Sequence, residues 1–284
     1  MIFAPRASVA GSCALLAIGA LACENLLGLG EYQVTSAGDA DALDEASAAD
    51  ADAPDASDAS CKAPSNGLLV HFTMDSNSVI GNGLFLADSS GNGKNGTLSG
   101  FPNMPVTPPG ILGQALQFPT STLGDVEVPG LALDSSPGGV NTVSLWFYDS
   151  YAPDGSVNAV VSFFPSGGDN LWLTGQGPSA VNLCFNTKTN DCWGFAGGTL
   201  LGNWVHAVAM FANGPISKSR LFLNGQPVTA TCVFGGCMND VSAMSSVELG
   251  GFAPFAFEGL LDEVRIYNRG LTSDEIAALY NLCP

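Results

Sequence analysis

Near the C-terminus, residues 259–280 read GLLDEVRIYNRGLTSDEIAALY. The first half has the composition of a strand. Side chains of a regular strand alternate with period two, so Asp262 shares a face with Val264 and Ile266. A carboxylate on an apolar face is costly unless something pairs with it. Arg265 has the other parity, beside Glu263, where the two would form an ordinary surface pair. Asp262 therefore needs another partner. The segment DSSGNG (88–93) carries Asp88, Ser90 and Asn92 at alternate positions before Gly93, the opening of a calcium loop. Ser99 stands where an EF-hand needs its Glu, so the segment is not an EF-hand. A plain Asp/Asn/Gly turn is the alternative.

Catalytic patterns are weak. Retaining glycosidases need two carboxylates about 5 Å apart. Asp125 and Glu127 share a strand face but have no third acid beside them, and read as a solvated strand edge. His71 and His206 lie inside strands with no nucleophile elbow nearby, so Ser-His-Asp chemistry is not signalled. No glycine-rich phosphate loop occurs. The expectation is a protein without enzymatic activity. Trp146, Tyr148, Trp172 and Trp193 could line a sheet face or rim, where flat rings suit sugars. Core packing is the competing role for each.

Eight acids and no base fall within residues 39–60, while the chain from Cys61 onward has sixteen acids and seven bases. No basic patch exists, which argues against nucleic acid as a partner. At the N-terminus, Arg6 precedes an apolar run from Val9 to Ala22, too short for a membrane span and suited to a secretory signal. Its end resembles a bacterial lipoprotein signal, with Cys23 as the acylated residue and ordinary cleavage nearby as the alternative. The expected organisation is a signal peptide over 1–22, a lipid-anchored Asp/Ala-rich tether over 23–60 and one domain over 61–284. Residues 38–60 lack aromatic and β-branched residues, so they cannot bury enough surface to offset ordering. A flexible coil from Cys23 to Cys61 spans roughly 35 Å. Glu24 is not the Asp of inner-membrane retention, so the expected location is the outer membrane or surface of a Gram-negative bacterium. Contact with the membrane would be through the lipid anchor only.

Six cysteines remain in the domain: Cys61, Cys184, Cys192, Cys232, Cys237 and Cys283. An even count in an exported chain reads as disulfides, with 15 connectivities open in principle. Local geometry favours one. VNLCFNTKTNDCWGF suggests a hairpin centred on Lys188 with Cys184 opposite Cys192. Cys232 and Cys237 flank a tight loop, which leaves Cys61 for Cys283.

Segments that must position these residues are mostly short and extended. Strand patterns fall at 67–75, 114–118, 125–130, 142–148, 159–164, 170–175, 204–211 and 246–251, with a hairpin at 220–230 turning on Asn224-Gly225. Val143, Leu145 and Phe147 share one face. One helix is signalled by a capping box, Thr272 with Glu275, and a staple from Leu271 to Ile276. The fold class is all-β, a two-sheet antiparallel jelly-roll sandwich with one short C-terminal helix.

GLLVHFTMD, ADSSGNGKNGTL, LGNWVHAVAMF with RLFLNGQPV, and FEGLLDEVRIYNRGLTSDEIAALY occur in an order that resembles the concanavalin A-like, laminin-G-like jelly rolls. The resemblance spans residues 66–281. It implies a fold and a structural Ca²⁺ where the N-terminal and C-terminal strands run side by side. Asp262 matches the usual ligand, Asp75 is the second candidate, and Asp88 and Asn92 follow. Glucanases of this fold present E-x-D-x-x-E on one strand, a motif this chain lacks. The expected function is a monomeric binding module for a glycan or surface protein. The alternatives are a hydrolase with an unrecognised site and a purely structural surface module.

Overall fold

A computed structural model describes residues 61–101, 104–119, 124–150, 157–164, 169–175, 181–186, 191–195, 200–238, 240–241, 246–251 and 256–283. The segments expected to be signal peptide and tether, with Cys23, lie outside the described residues. The chain divides into two units, Met1–Asp55 and Ala56–Pro284, and the second is the one described. None of its helices is long and apolar enough to cross a membrane among the described residues.

In chain order the strands begin with β1 (Leu68–Phe72), β2 (Val79–Ile80), β3 (Phe85–Leu86), β4 (Gly96–Ser99), β5 (Leu116–Phe118) and β6 (Asp125–Val128). Next come β7 (Val140–Asp149), β8 (Val157–Phe164), β9 (Asp169–Gly175), β10 (Val181–Asn186), β11 (Cys192–Phe195) and β12 (Trp204–Ala212). The last part holds β13 (Gly214–Pro215), β14 (Arg220–Leu223), β15 (Gln226–Val228), β16 (Thr231–Phe234), β17 (Asp240–Val241), β18 (Ser246–Leu249) and β19 (Gly259–Tyr267). The helix α1 (Ser273–Tyr280) closes the chain.

A seven-stranded sheet runs β1-β19-β7-β12-β14-β15, with β5 also on β19. A ten-stranded sheet runs β16-β11-β10-β9-β8-β18-β6-β4-β3-β2. The paired strands are antiparallel. Alternation in the sequence decides which side faces the core. Val143, Leu145 and Phe147 of β7 point inward, as do Val205, Ala207, Ala209 and Phe211 of β12. They meet Val126, Val128, Val247 and Leu249 of the other sheet. Phe211 packs edge-on to Phe163 and Phe185, with ring centroids 4.4 and 4.8 Å apart.

The seven-stranded sheet is apolar on its outer side too. Val208, Met210, Phe222 and Tyr267 form a second cluster with Leu271, Ile276 and Leu279. That stripe is why an otherwise all-β domain keeps a helix. Thr272 and Glu275 make the capping box, and the Arg269 guanidinium grips the Glu275 carboxylate at 2.9 and 2.6 Å.

All three disulfide pairings stand as the sequence indicated, with Cα–Cα distances of 5.1 Å for Cys61–Cys283, 5.1 Å for Cys184–Cys192 and 5.7 Å for Cys232–Cys237. The hairpin register differs from the expected one. Cys184 stands opposite Gly194, so its bond to Cys192 runs diagonally.

Candidate functional site

Asp262 lies where one neighbour of β19 gives way to another. β5 pairs with Gly259–Leu261 and β1 pairs from Val264 onward, while β7 runs along the other side. At this junction β19 bulges. Asp262 opposes Trp146 and Arg265 opposes Ser144, so three steps on β19 match two on β7. Glu263 takes a positive φ of 49°. The extra residue reverses the alternation. Leu261, Val264 and Ile266 face the main core. Asp262 does not share their face, which corrects the parity argument. The sequence carries no glycine at the bulge to mark it.

Backbone N–H groups compensate the carboxylate. Asp262 Oδ2 accepts from Ile111 N at 2.8 Å and Leu112 N at 3.0 Å, and Oδ1 accepts from Glu263 N at 2.8 Å. Asp75 Oδ1 accepts from Gln114 N at 2.8 Å. The two acids hold one tight loop between them, and a Cβ on Gly110 would collide with Asp262 Oδ2. Asp88 serves a different segment. Its carboxylate accepts from His71 N at 3.0 Å, Ser90 N at 2.8 Å, Ser90 Oγ at 2.9 Å and Lys94 N at 2.9 Å. Asn92 Nδ2 donates to Leu68 O at 2.9 Å and Leu69 O at 3.2 Å. The 88–95 loop thus covers the free edge of β1.

A calcium ion needs several oxygen lone pairs aimed at one point. Here both oxygens of Asp262 and of Asp88, and Oδ1 of Asp75, already accept hydrogen bonds, and Asn92 presents its amide nitrogen. Among the described residues no group of three or more His, Cys, Asp or Glu is arranged to hold a metal. Asp262, Asp75, Asp88 and Asn92 therefore do not fit a shared calcium ion. Burial pushes the Asp262 carboxyl up to about 7, with the Leu112 N–H opposing and the Glu263 charge adding to the rise. At Asp88 the N–H groups of His71 and Lys94, with Ser90, outweigh desolvation and hold the carboxyl below its usual value.

Beside the bulge, Glu263 Oε2 lies 2.8 Å from Arg265 Nη1 and 3.0 Å from His71 Nε2. This is not the surface pair expected: the Glu263 and Arg265 side chains are 4% and 9% exposed. Desolvation opposes ionisation of Glu263, but His71 and Arg265 together keep its pKa low. Further along the same outer face, Ser144 Oγ is 2.9 Å from His206 Nε2. Burial, then the Arg265 charge, pushes His206 down to about 3, so it is neutral.

The four aromatic candidates do not converge. Trp146 is buried against Tyr280 of α1, stacked at 5.6 Å, and against His206 at 5.2 Å. It seats the helix. Tyr148 is half-buried and leans on Trp204 at 5.8 Å, a partner that becomes its neighbour only when β7 and β12 pair. Trp193 packs against the main core from the other sheet. Trp172 stands opposite Ala159 and Cys184 in the ladder, and its side chain lies outside the described residues.

A third cluster of polar groups lies on the ten-stranded sheet. β6 is no edge strand, since it sits between β18 and β4. Glu127 is directly opposite Glu248 of β18, which is directly opposite Ser162 of β8. On the other side Glu127 opposes Thr97, and Thr97 opposes Phe85. Their neighbours Leu86, Leu98, Val126, Leu249 and Phe163 all face the core. Phe85, Thr97, Glu127, Glu248 and Ser162 thus form one row across the outer face of the ten-stranded sheet. Adjacent members are about 4.8 Å apart along the row. Exposure falls from Glu127 through half-buried Glu248 to Ser162 at 0%. Ser162 Oγ has no hydrogen-bond partner. Desolvation, followed by the charges of Asp125 and Glu127, pushes Glu248 up to about 7. Desolvation and Glu127 push Asp125 up to about 6. The third acid absent from the neighbourhood of Asp125 and Glu127 in sequence is supplied across the sheet. It could not be found from spacing, because 121 positions separate Glu127 from Glu248.

Two stacked antiparallel sheets with a helix on one outer face define the class as a jelly-roll sandwich. The chain belongs to the concanavalin A-like lectin/glucanases superfamily, whose family description matches residues 121–277. No match was found among curated proteins. Solved structures of similar fold include domain 4 of AbnA, a GH43 extracellular arabinanase from Geobacillus stearothermophilus, in complex with arabinotriose. That likeness has a TM-score of 0.53 at 22% identity and covers 76% of this chain and 98% of that one. The binding domain of botulinum neurotoxin DC in complex with rat synaptotagmin II gives 0.54 at 10% identity, over 78% of this chain and 52% of that one. The receptor binding domain of the botulinum neurotoxin C/D mosaic serotype gives 0.53 at 11% identity, over 77% and 52%. This chain spans about half the length of those toxin domains. At such identities the likeness is one of fold.

Proposed function

We infer that this domain is a non-catalytic, monomeric binding module for carbohydrate, held at the surface of a Gram-negative bacterium by acylated Cys23 and the acidic tether. The observation that carries the reading is the row Phe85, Thr97, Glu127, Glu248 and Ser162. It combines an exposed ring 41% accessible, the half-buried Thr97 hydroxyl and two carboxyls on one sheet face, with the buried Ser162 hydroxyl at its end. Near neutral pH a carboxyl with a pKa of about 7 both donates and accepts. Sugar hydroxyls need both roles. The chain lacks the E-x-D-x-x-E strand by which glucanases of this fold present their acids, and that favours binding over turnover.

One observation keeps the hydrolase reading in play, namely that three carboxylates meet on one sheet face. A glycan array of the full-length protein, with arabinotriose among the first probes, tests both. Binding that falls at least roughly tenfold in Glu248→Gln, about 1.4 kcal/mol, with no release of reducing ends, is the expected result. Release of reducing ends that Glu248→Gln abolishes would establish a hydrolase instead. An empty array together with capture of a protein ligand would replace carbohydrate by protein.

A further inference from the structure

The helix leaves part of the seven-stranded sheet's outer face open. Beside the turn leading into α1 lies a cavity of about 710 Å³. Ligand pockets commonly measure roughly 300–1,000 Å³. Val140, Met210, Ala212 and Leu271 supply its apolar lining, and Lys218 and Arg220 stand at its rim. Arg220 opens β14 directly opposite Met210 of β12. Lys218 ends the short turn, Ile216–Lys218, that joins β13 to β14. Both cations are exposed. Among the described residues neither makes an ion pair, while Arg265 and Arg269 are each held by a glutamate. From Cys61 onward acids outnumber bases sixteen to seven. Two cations without acid partners, both bordering the same apolar cavity, run against that balance.

We propose that this cavity binds an amphiphilic anion, a molecule with an apolar body and one carboxylate or phosphate head. The body fills the space over Val140, Met210 and Leu271. The head pairs with Lys218 and Arg220, and Arg220 can grip two oxygens at once. The site lies on the opposite sheet from the row of acids, so it is independent of the carbohydrate reading.

Titration calorimetry of the full-length protein with decanoate, decyl phosphate and decanol, each below its micellar concentration, tests the proposal. Decanoate or decyl phosphate is expected to bind, and to lose affinity roughly tenfold in the Lys218→Gln/Arg220→Gln double variant. Decanol binding is expected to be unchanged by that variant. Both side chains are exposed, so the double variant should fold. Val140→Trp, which narrows the cavity at its apolar wall, is expected to weaken binding of every probe. Anionic phosphatidylglycerol vesicles distinguish a bilayer headgroup from a free amphiphile: retention on vesicles with no binding of the monomeric probes would overturn the cavity as the site. Equal losses for decanoate and decanol, or no binding of any probe, would overturn the proposal outright.

Discussion

At Asp262 the chemistry turns on what a buried carboxylate can accept. The residue is fully buried and receives three backbone N–H bonds, two of them from the loop that leads into β5. Removing the acceptor strands those donors, and an unsatisfied buried donor costs roughly 1–3 kcal/mol. Asp262→Ala is expected to lose about 3 kcal/mol in urea denaturation, and Asp262→Asn less, because the amide keeps one acceptor oxygen. A loss below about 0.5 kcal/mol for the alanine variant would sink the role assigned to it. Melting curves of the wild type in EDTA and in excess Ca²⁺ are expected to superimpose, since N–H groups already occupy the carboxylate. A rise in melting temperature with Ca²⁺ would show that the loop opens to admit the ion.

Among the elements, β1, β19 and α1 bring the two ends of the domain together, and Cys61–Cys283 fastens them. That bond closes a sequence separation of 222 residues, against 8 for Cys184–Cys192. In the chain-entropy account the longer loop gains more, up to about 5 kcal/mol against about 2.5. Urea denaturation of Cys61→Ser/Cys283→Ser is therefore expected to show a larger loss than Cys184→Ser/Cys192→Ser, and the reverse ranking would refute it. Those bonds, the Asn224-Gly225 hairpin and the capping box at Thr272 could be read from the sequence because their signals are local. The inward faces of β7 and β12 could be read because period two holds along a regular strand. Other features depended on pairing. The bulge at Glu263 follows from β19 changing partners between β5 and β1. The row through Glu127, Glu248 and Ser162 exists only once β6, β18 and β8 lie side by side. Trp146 looked like a ligand platform until α1 folded Tyr280 onto it.

For the whole molecule the carboxylates divide into two groups that respond oppositely to pH. Asp125 is raised to about 6, and Glu248 and Asp262 to about 7, from ordinary values of 3.8 for Asp and 4.5 for Glu. Between those limits the folded state holds protons that the unfolded chain has released. Stability contributed by these groups is therefore present at low pH and lost as pH rises toward 7. Asp88 and Glu263 are lowered, and the Arg269 fork, the largest influence, brings Glu275 down to about 2. Their contribution is present above the ordinary carboxylate range and lost as pH falls through it. The two trends cross near pH 4 to 5, where the melting temperature is expected to peak. Repulsion within a domain of sixteen acids and seven bases acts in the same direction as the first group when pH climbs. After discounting Asp125 and Glu248 for solvent screening, the loss between pH 5 and 8 is roughly 2–4 kcal/mol. Glu248→Gln removes one member of that group and is expected to flatten the neutral limb while leaving the acid limb in place. A melting temperature that rises steadily from pH 4 to 8 would mean that the acids on the ten-stranded sheet are better solvated than their burial implies, and that the row offers carboxylates only as acceptors.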